Sequence, residues 1–83
     1  MNSVRRIQIA KVIRATDLGA TVQLLCADDG GLSSVYLEHK PFSLFYEAIH
    51  KAGLELNGLQ IQYDRDRVHV PSLDKTWGSH AIL

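Results

Sequence analysis

The chain has 83 residues, 46% of them hydrophobic and 22% charged, and nine Lys and Arg residues balance nine Asp and Glu residues. This length allows one domain with a modest core, and the apolar content excludes a disordered chain. The zero net charge excludes a uniformly basic nucleic-acid-binding surface, and the single cysteine, Cys26, excludes an internal disulfide. No apolar run has the length of a membrane span. We therefore expect a cytoplasmic protein that does not enter a membrane.

Three segments before the middle of the chain predict β-strands, at residues 3–15, 20–27 and 32–38. In the first, Ile7, Ile9 and Val12 are expected to point inward, and the alternation slips near residues 10–11, which predicts a β-bulge. Residues 16–19 and 28–31 are rich in Asp and Gly and predict turns. The three strands should form an antiparallel meander.

A single helix is predicted at about residues 41–53. Pro41 suits its first turn, and apolar residues recur at spacings of three and four. Gly53 is placed to end the helix in the left-handed conformation. We expect Phe42, Phe45 and Ile49 to be among the most buried side chains of the protein.

Two more strands are predicted after the helix, at residues 58–64 and 67–70, and Pro71 stops the second of them. From Ser72 onward the sequence has no hydrophobic period. We therefore predict one β-rich domain at residues 1–71 and a C-terminal tail at residues 72–83.

The predicted order is β-β-β-α-β-β, a mainly β (β+α) fold with a small, bent, antiparallel sheet of five strands or a partly open barrel. This order is similar to that of the OB-fold, whose helix lies between its third and fourth strands. The resemblance implies an OB-like topology in which the helix plugs one end of the sheet. An open antiparallel sheet with a helix on one face would give nearly the same pattern.

Polar side chains on the first three strands predict a mildly basic outer face that carries one aromatic residue. Its members are Arg6, Gln8, Arg14, Gln23 and Tyr36. An aromatic side chain beside Arg and Gln can stack on a base while the other groups meet phosphates, so single-stranded DNA or RNA is one candidate ligand. An ordinary solvated face of a sheet is the competing interpretation, because ligands of this kind usually meet several aromatic residues.

The predicted tail contains the chain's one tryptophan and ends in apolar residues. Clustered apolar groups of this type either fold back over their own domain or bind another chain. The candidate protein-interface residues are Trp77, His80, Ile82 and Leu83. The leading hypothesis is a small non-enzymatic domain that acts by protein–protein interaction, as an adaptor, an inhibitor or a subunit of an oligomer. Nucleic-acid binding is the alternative.

Catalytic, metal and cofactor sites are not expected. The four histidines, His39, His50, His69 and His80, have spacings that match no common metal motif, and only one cysteine is present to join them. Cys26 falls on the inward side of its strand, where a thiol packs as a small hydrophobe. No glycine-rich segment matches a phosphate-binding loop.

Overall fold

A computed structural model describes residues 8–78 of the chain. Within that range the polypeptide forms a mixed fold of strands and one helix: β1 (Gln8–Asp17), β2 (Thr21–Asp28), β3 (Gly31–Glu38), α1 (His39–Lys51), β4 (Gln60–Tyr63), β5 (Arg67–Val70) and β6 (Lys75–Gly78). The strands make one antiparallel sheet in the order β3-β2-β1-β4-β5-β6. A mainly β domain with one helix is therefore confirmed.

The sheet differs from the prediction in having six strands within the described range rather than five, and it is not a closed barrel. The added strand, β6, forms from the segment predicted to be a tail. It pairs with β5 and so occupies the edge of β5 that closure onto β3 would have required. Tyr36 N still donates a hydrogen bond to Arg65 O, at 3.2 Å, so β3 approaches the β4–β5 turn without forming a ladder with it.

Strand β1 lies at the centre of the sheet because it pairs with a different neighbour along each half. Its first residues pair with β4, from Gln8 opposite Tyr63 to Lys11 opposite Gln60, and Lys11 to Asp17 pair with β2. The predicted β-bulge is present, but it lies between Val12 and Arg14 rather than near residues 10–11. An extra residue at this point increases the local bend of the strand.

Because the bulge lies later in β1 than predicted, the side chains of β1 that point inward differ from the predicted ones. Ala10 and Val12 are buried, whereas Ile9 is 52% exposed, because the strand keeps strict alternation until after Val12. Ile7, also predicted to point inward, lies outside the described residues. Cys26 in β2 points inward as predicted, and Cys26, Val35 and Leu37 have no exposed surface.

Helix α1 begins at His39, two residues before the predicted start, so Pro41 lies within the first turn rather than at its first position. Pro41 is tolerated there because the first N–H groups of a helix have no intrahelical partner. Helix α1 ends at Lys51, two residues before the predicted end. Gly53 terminates it in the left-handed conformation as predicted: its φ is +77°, its N–H donates to His50 O, and Leu54 N donates to Ile49 O. This pair of bonds is a Schellman motif.

The core lies between the inner face of the sheet and helix α1. Its fully buried members include Val12, Leu24, Cys26, Val35, Leu37, Phe45, Ile49, Ile61, Val68 and Val70. Phe45 and Ile49 confirm the prediction for the helix, but Phe42 is only half-buried and packs at the margin of the core. The helix therefore covers the sheet with its second and third turns.

The only tryptophan of the chain belongs to this core rather than to a free tail. Trp77 in β6 is half-buried, and its ring meets that of Phe45 edge to face, with centroids 5.4 Å apart. Residues 75–78 therefore fold back over the domain, which was one of the two alternatives for the tail.

No helix within residues 8–78 is long and apolar enough to span a bilayer.

We predict that Trp77→Ala lowers the free energy of unfolding by about 2 kcal/mol, less than the loss for a fully buried aromatic residue, because Trp77 covers Phe45 from one side. Urea denaturation monitored by far-UV circular dichroism measures the change. Lys75→Ala, at an exposed position of the same strand, is the control and should change stability by less than about 0.5 kcal/mol. Equal stability of wild type and Trp77→Ala would show that β6 does not pack on the domain.

Candidate functional site

The outward side chains of β1, β2 and β3 form one continuous surface, which we call the outer face. The register sets Arg14 opposite Leu25, Leu25 opposite Ser34, and Gln23 opposite Tyr36. Since directly opposite residues of a ladder lie on the same side of a sheet, these side chains are neighbours. The outer face comprises Ile13, Arg14, Gln23, Leu25, Leu32, Ser34 and Tyr36.

The outer face contains part of the predicted polar set. Arg14, Gln23 and Tyr36 lie together on it, and Gln23 Nε2 donates a hydrogen bond to Ser34 Oγ at 2.8 Å. Gln8 is in the half of β1 that pairs with β4, opposite Tyr63, and so lies away from the other three. Its side chain and the whole of Arg6 lie outside the described structure.

Apolar side chains are exposed among these polar ones. Leu32 is 67% exposed, Tyr36 is 44% exposed and Ile13 is 43% exposed, and Leu25 between them is half-buried. Ile13 reaches the surface because it is the extra residue of the bulge in β1. Ile13 and Leu32 were not among the residues predicted for this face. A leucine at an outward position of an alternating strand was the available signal for Leu32.

The predicted interface residues of the C-terminal segment separate into two groups. Trp77 is used inside the domain, in contact with Phe45. His80, Ile82 and Leu83 lie outside the described residues, so their assignment to a protein interface stays a prediction.

The histidines of the described chain make local contacts. His39 Nε2 is 2.6 Å from Gly19 O, so it donates to that carbonyl, and it lies 3.4 Å from Asp17 Oδ1. His69 Nδ1 is 2.7 Å from Thr76 Oγ1. Among residues 8–78, no three His, Cys, Asp or Glu side chains converge as metal ligands.

A hydrogen-bonded cluster that the sequence analysis missed joins three strands at one end of the sheet. Tyr63 Oη donates to Asp28 Oδ2 at 2.5 Å and lies 2.9 Å from Ser33 Oγ, which itself donates to Asp28 Oδ2 at 3.0 Å. Gly30 N donates to Asp28 Oδ1 at 2.9 Å, which closes the β2–β3 turn. The cluster thus ties the end of β4 to the β2–β3 hairpin across β1.

The pKa values of Asp28 and Tyr63 are shifted in the directions that these hydrogen bonds favour. The hydrogen bonds from Tyr63 and then from Ser33 lower the pKa of the Asp28 carboxyl below its ordinary 3.8. Burial raises the pKa of the Tyr63 hydroxyl above 10.0, and the hydrogen bond to Asp28 raises it further. A donor and acceptor that satisfy each other in this way indicate a structural tie rather than a catalytic pair.

The thiol of Cys26 lies in the core near this cluster. Burial, with a smaller contribution from the Asp28 carboxylate, raises its pKa from 9.0 to about 11. The thiolate is therefore scarce at neutral pH, and the sulfur has no exposed surface from which to react. This agrees with the predicted role of Cys26 as a packing residue.

We predict that acid destabilises the protein partly through Asp28. Its pKa is lowered in the folded state, so its stabilising effect is present above the unfolded pKa and is lost as pH falls through the folded pKa. Urea midpoints measured at neutral pH and at pH about 3 should differ less for Asp28→Asn than for wild type. Tyr63→Phe should also reduce the difference, because it removes the strongest donor to the carboxylate. An acid loss that is the same in all three proteins would contradict this role, and Asp29→Asn, outside the cluster, serves as the control.

Comparison with known proteins adds no relative. The chain shows no significant match to any model of a protein family, to any curated protein or to any solved structure. Function must accordingly be inferred from the outer face and from the strand edges beside it.

Proposed function

We propose that this domain is a non-enzymatic, cytoplasmic protein-binding module whose contact surface is the outer face. The observation that carries the proposal is the exposure of Ile13, Leu32 and Tyr36 on one side of three adjacent strands. Exposed apolar groups gathered within a polar surface mark interaction sites more often than scattered ones do. Tyr and Arg, here Tyr36 and Arg14, are the residue types that most often anchor protein interfaces.

The overall charge supports the same proposal. With equal numbers of acidic and basic residues, the protein has no long-range field to draw a polyanion, whereas apolar contacts between proteins need none. The strand order also supports an OB-like arrangement: β1 pairs with both β2 and β4, and the helix lies between β3 and β4. OB-folds bind their ligands on the surface of strands 2 and 3, which here belongs to the outer face.

We predict that Tyr36→Ala releases the proteins bound to the outer face. The measurement is affinity capture from the native host after nuclease treatment, with quantitative mass spectrometry of the captured proteins. Tyr46→Ala is the matched control, because Tyr46 is 49% exposed but lies on helix α1. Proteins that wild type and Tyr46→Ala retain and Tyr36→Ala loses at least tenfold support the proposal. Retention of the same proteins by all three would contradict it.

The same capture tests the predicted interface at the C-terminus. Deletion should begin after Gly78 rather than at Trp77, since loss of Trp77 would uncover Phe45 and disturb the core. Removal of residues 79–83 should release a partner if His80, Ile82 and Leu83 form part of its binding surface. Unchanged capture by this variant would end that prediction and leave the outer face as the binding surface.

Single-stranded nucleic acid is the second candidate ligand, favoured by the grouping of Arg14, Gln23 and Tyr36 on one face. On this alternative, oligonucleotide affinity should fall steeply with salt, and Arg14→Ala should reduce the slope of log affinity against log salt by about 1. Tyr36→Ala should weaken binding at every salt concentration by removing a stacking surface. Fluorescence anisotropy with a labelled mixed-sequence oligonucleotide measures both effects. No binding at low salt would exclude this candidate.

A further inference from the structure

We propose that β3 is a self-pairing edge, through which two copies of the chain join their sheets about a two-fold axis at Ser33. This inference rests on the proposed function as a protein-binding domain and names the partner as a second copy. It starts from the direction of the backbone groups along β3. Tyr36 N donates to Arg65 O, so the backbone of Tyr36 points away from β2.

The direction of the backbone groups at Tyr36 also gives the direction of those at the other residues of β3. Because the β2–β3 ladder runs without a register shift from Thr21–Glu38 to Asp28–Gly31, alternate residues point their N–H and C=O groups towards and away from β2. Leu32 and Ser34 therefore point away, as Tyr36 does. Within residues 8–78, neither makes a backbone hydrogen bond on that side. An edge with unpaired groups at this spacing is complementary to an extended strand.

Self-complementarity selects a second copy of β3 as that strand. In an antiparallel pair centred on Ser33, Leu32 of each copy lies opposite Ser34 of the other. Each such pair exchanges two hydrogen bonds, and both pairs use only backbone groups that make no other hydrogen bond within residues 8–78. The arrangement does not need Tyr36, whose N–H is already bound to Arg65.

Side chains on the outer face fit the same register. A two-fold axis perpendicular to the sheet keeps both outer faces on one side, so the two Leu32 side chains become diagonal neighbours beside the axis. Leu32 is the most exposed of the large hydrophobic residues in the described chain, at 67%. Pairing would shield this side chain and join the two outer faces into one surface.

The other edge strand of the described sheet, β6, is less suited to pairing than β3. Strand β6 has four residues and begins with exposed Lys75, and shortness and an edge lysine are two devices by which proteins discourage edge pairing. Strand β3 has eight residues and carries neither lysine nor proline. Its outward positions next to the proposed axis, Leu32 and Ser34, are uncharged. Of the two edges, β3 is therefore the one suited to pairing.

The test uses the full chain in analytical ultracentrifugation from micromolar to millimolar concentration. We expect the weight-average mass to rise from 9.3 kDa towards twice that value. Leu32→Lys and Leu32→Glu should each remain monomeric, because like charges would meet beside the axis. An equimolar mixture of these two variants should regain the dimer through opposite charges. Leu44→Lys, at a 51% exposed position on α1, is the matched control and should dimerise as wild type does.

Two further variants separate backbone pairing from side-chain contact. Ser34→Pro removes an N–H that the β2 ladder does not use and should abolish dimerisation, whereas Ser34→Ala keeps the N–H and should retain it. Both variants lose the hydroxyl that accepts from Gln23, so the pair is matched in that respect. Should Ser34→Pro fail to fold, concentration-dependent slowing of amide exchange at Leu32 and Ser34 in wild type measures the same pairing.

A wild-type mass of 9.3 kDa at every concentration would overturn the inference, and so would a dimer that survives Leu32→Lys. A monomer that still captures proteins through Tyr36 would leave the proposed function standing while rejecting self-pairing. A dimer with no other protein bound to the outer face would support self-pairing and reject an external partner. The two proposals therefore fail on different observations.

Discussion

The fold depends on the division of β1 between two partners. Its first half pairs with β4 and its second half with β2, and the bulge between Val12 and Arg14 lies where the strand passes from one to the other. A β-bulge bends its strand and increases the local twist, and the bend in β1 curls the sheet around the inner face. That curl brings Tyr63 at the end of β4 within hydrogen-bonding distance of Asp28 at the end of β2.

The curled sheet also has an apolar inner face that must be covered, and other elements shield this concave face from water. Helix α1 supplies Phe45 and Ile49, and β6 supplies Trp77, whose ring contacts Phe45. By pairing with β5 to deliver this tryptophan, β6 takes the place that β3 would have filled in a closed barrel. The open edge of β3 is thus a consequence of how the core is completed.

Much of this architecture follows from local sequence patterns. The alternation in β2, β3 and β5 and the stop signals at Gly53 and Pro71 placed those elements within about two residues, since side-chain period and turn chemistry are local properties. The sixth strand has no such pattern: residues 75–78 are held by pairing with β5 and by Trp77, which are long-range contacts. The Asp28 cluster was equally invisible, because its members are up to 35 residues apart in the chain.

The outer face was predicted only in part for a related reason. Gln23 and Tyr36 were correctly predicted to point outward because the alternation in β2 and β3 defines the register of those strands. Ile13 was not recognised, because its exposure depends on where the bulge falls, and a displacement of a few residues reverses which side chains point outward. The register along β1 is set by two partners at once, so the sequence of β1 alone does not determine it.

The charges on the outer face bear on whether a protein or a nucleic acid is the better ligand for it. Nucleic-acid binding draws most of its affinity from cations placed against phosphates. Among the residues of the outer face, Arg14 is the one cation, and the chain as a whole has equal numbers of acidic and basic residues. A single cation meets few phosphates, so the electrostatic contribution to such a complex would be small. Burial of Leu32, Ile13 and Tyr36 contributes about 25 cal/mol per Å² of apolar surface whatever the salt concentration. The apolar contribution is therefore the larger one on this face, which supports our proposal of a protein partner.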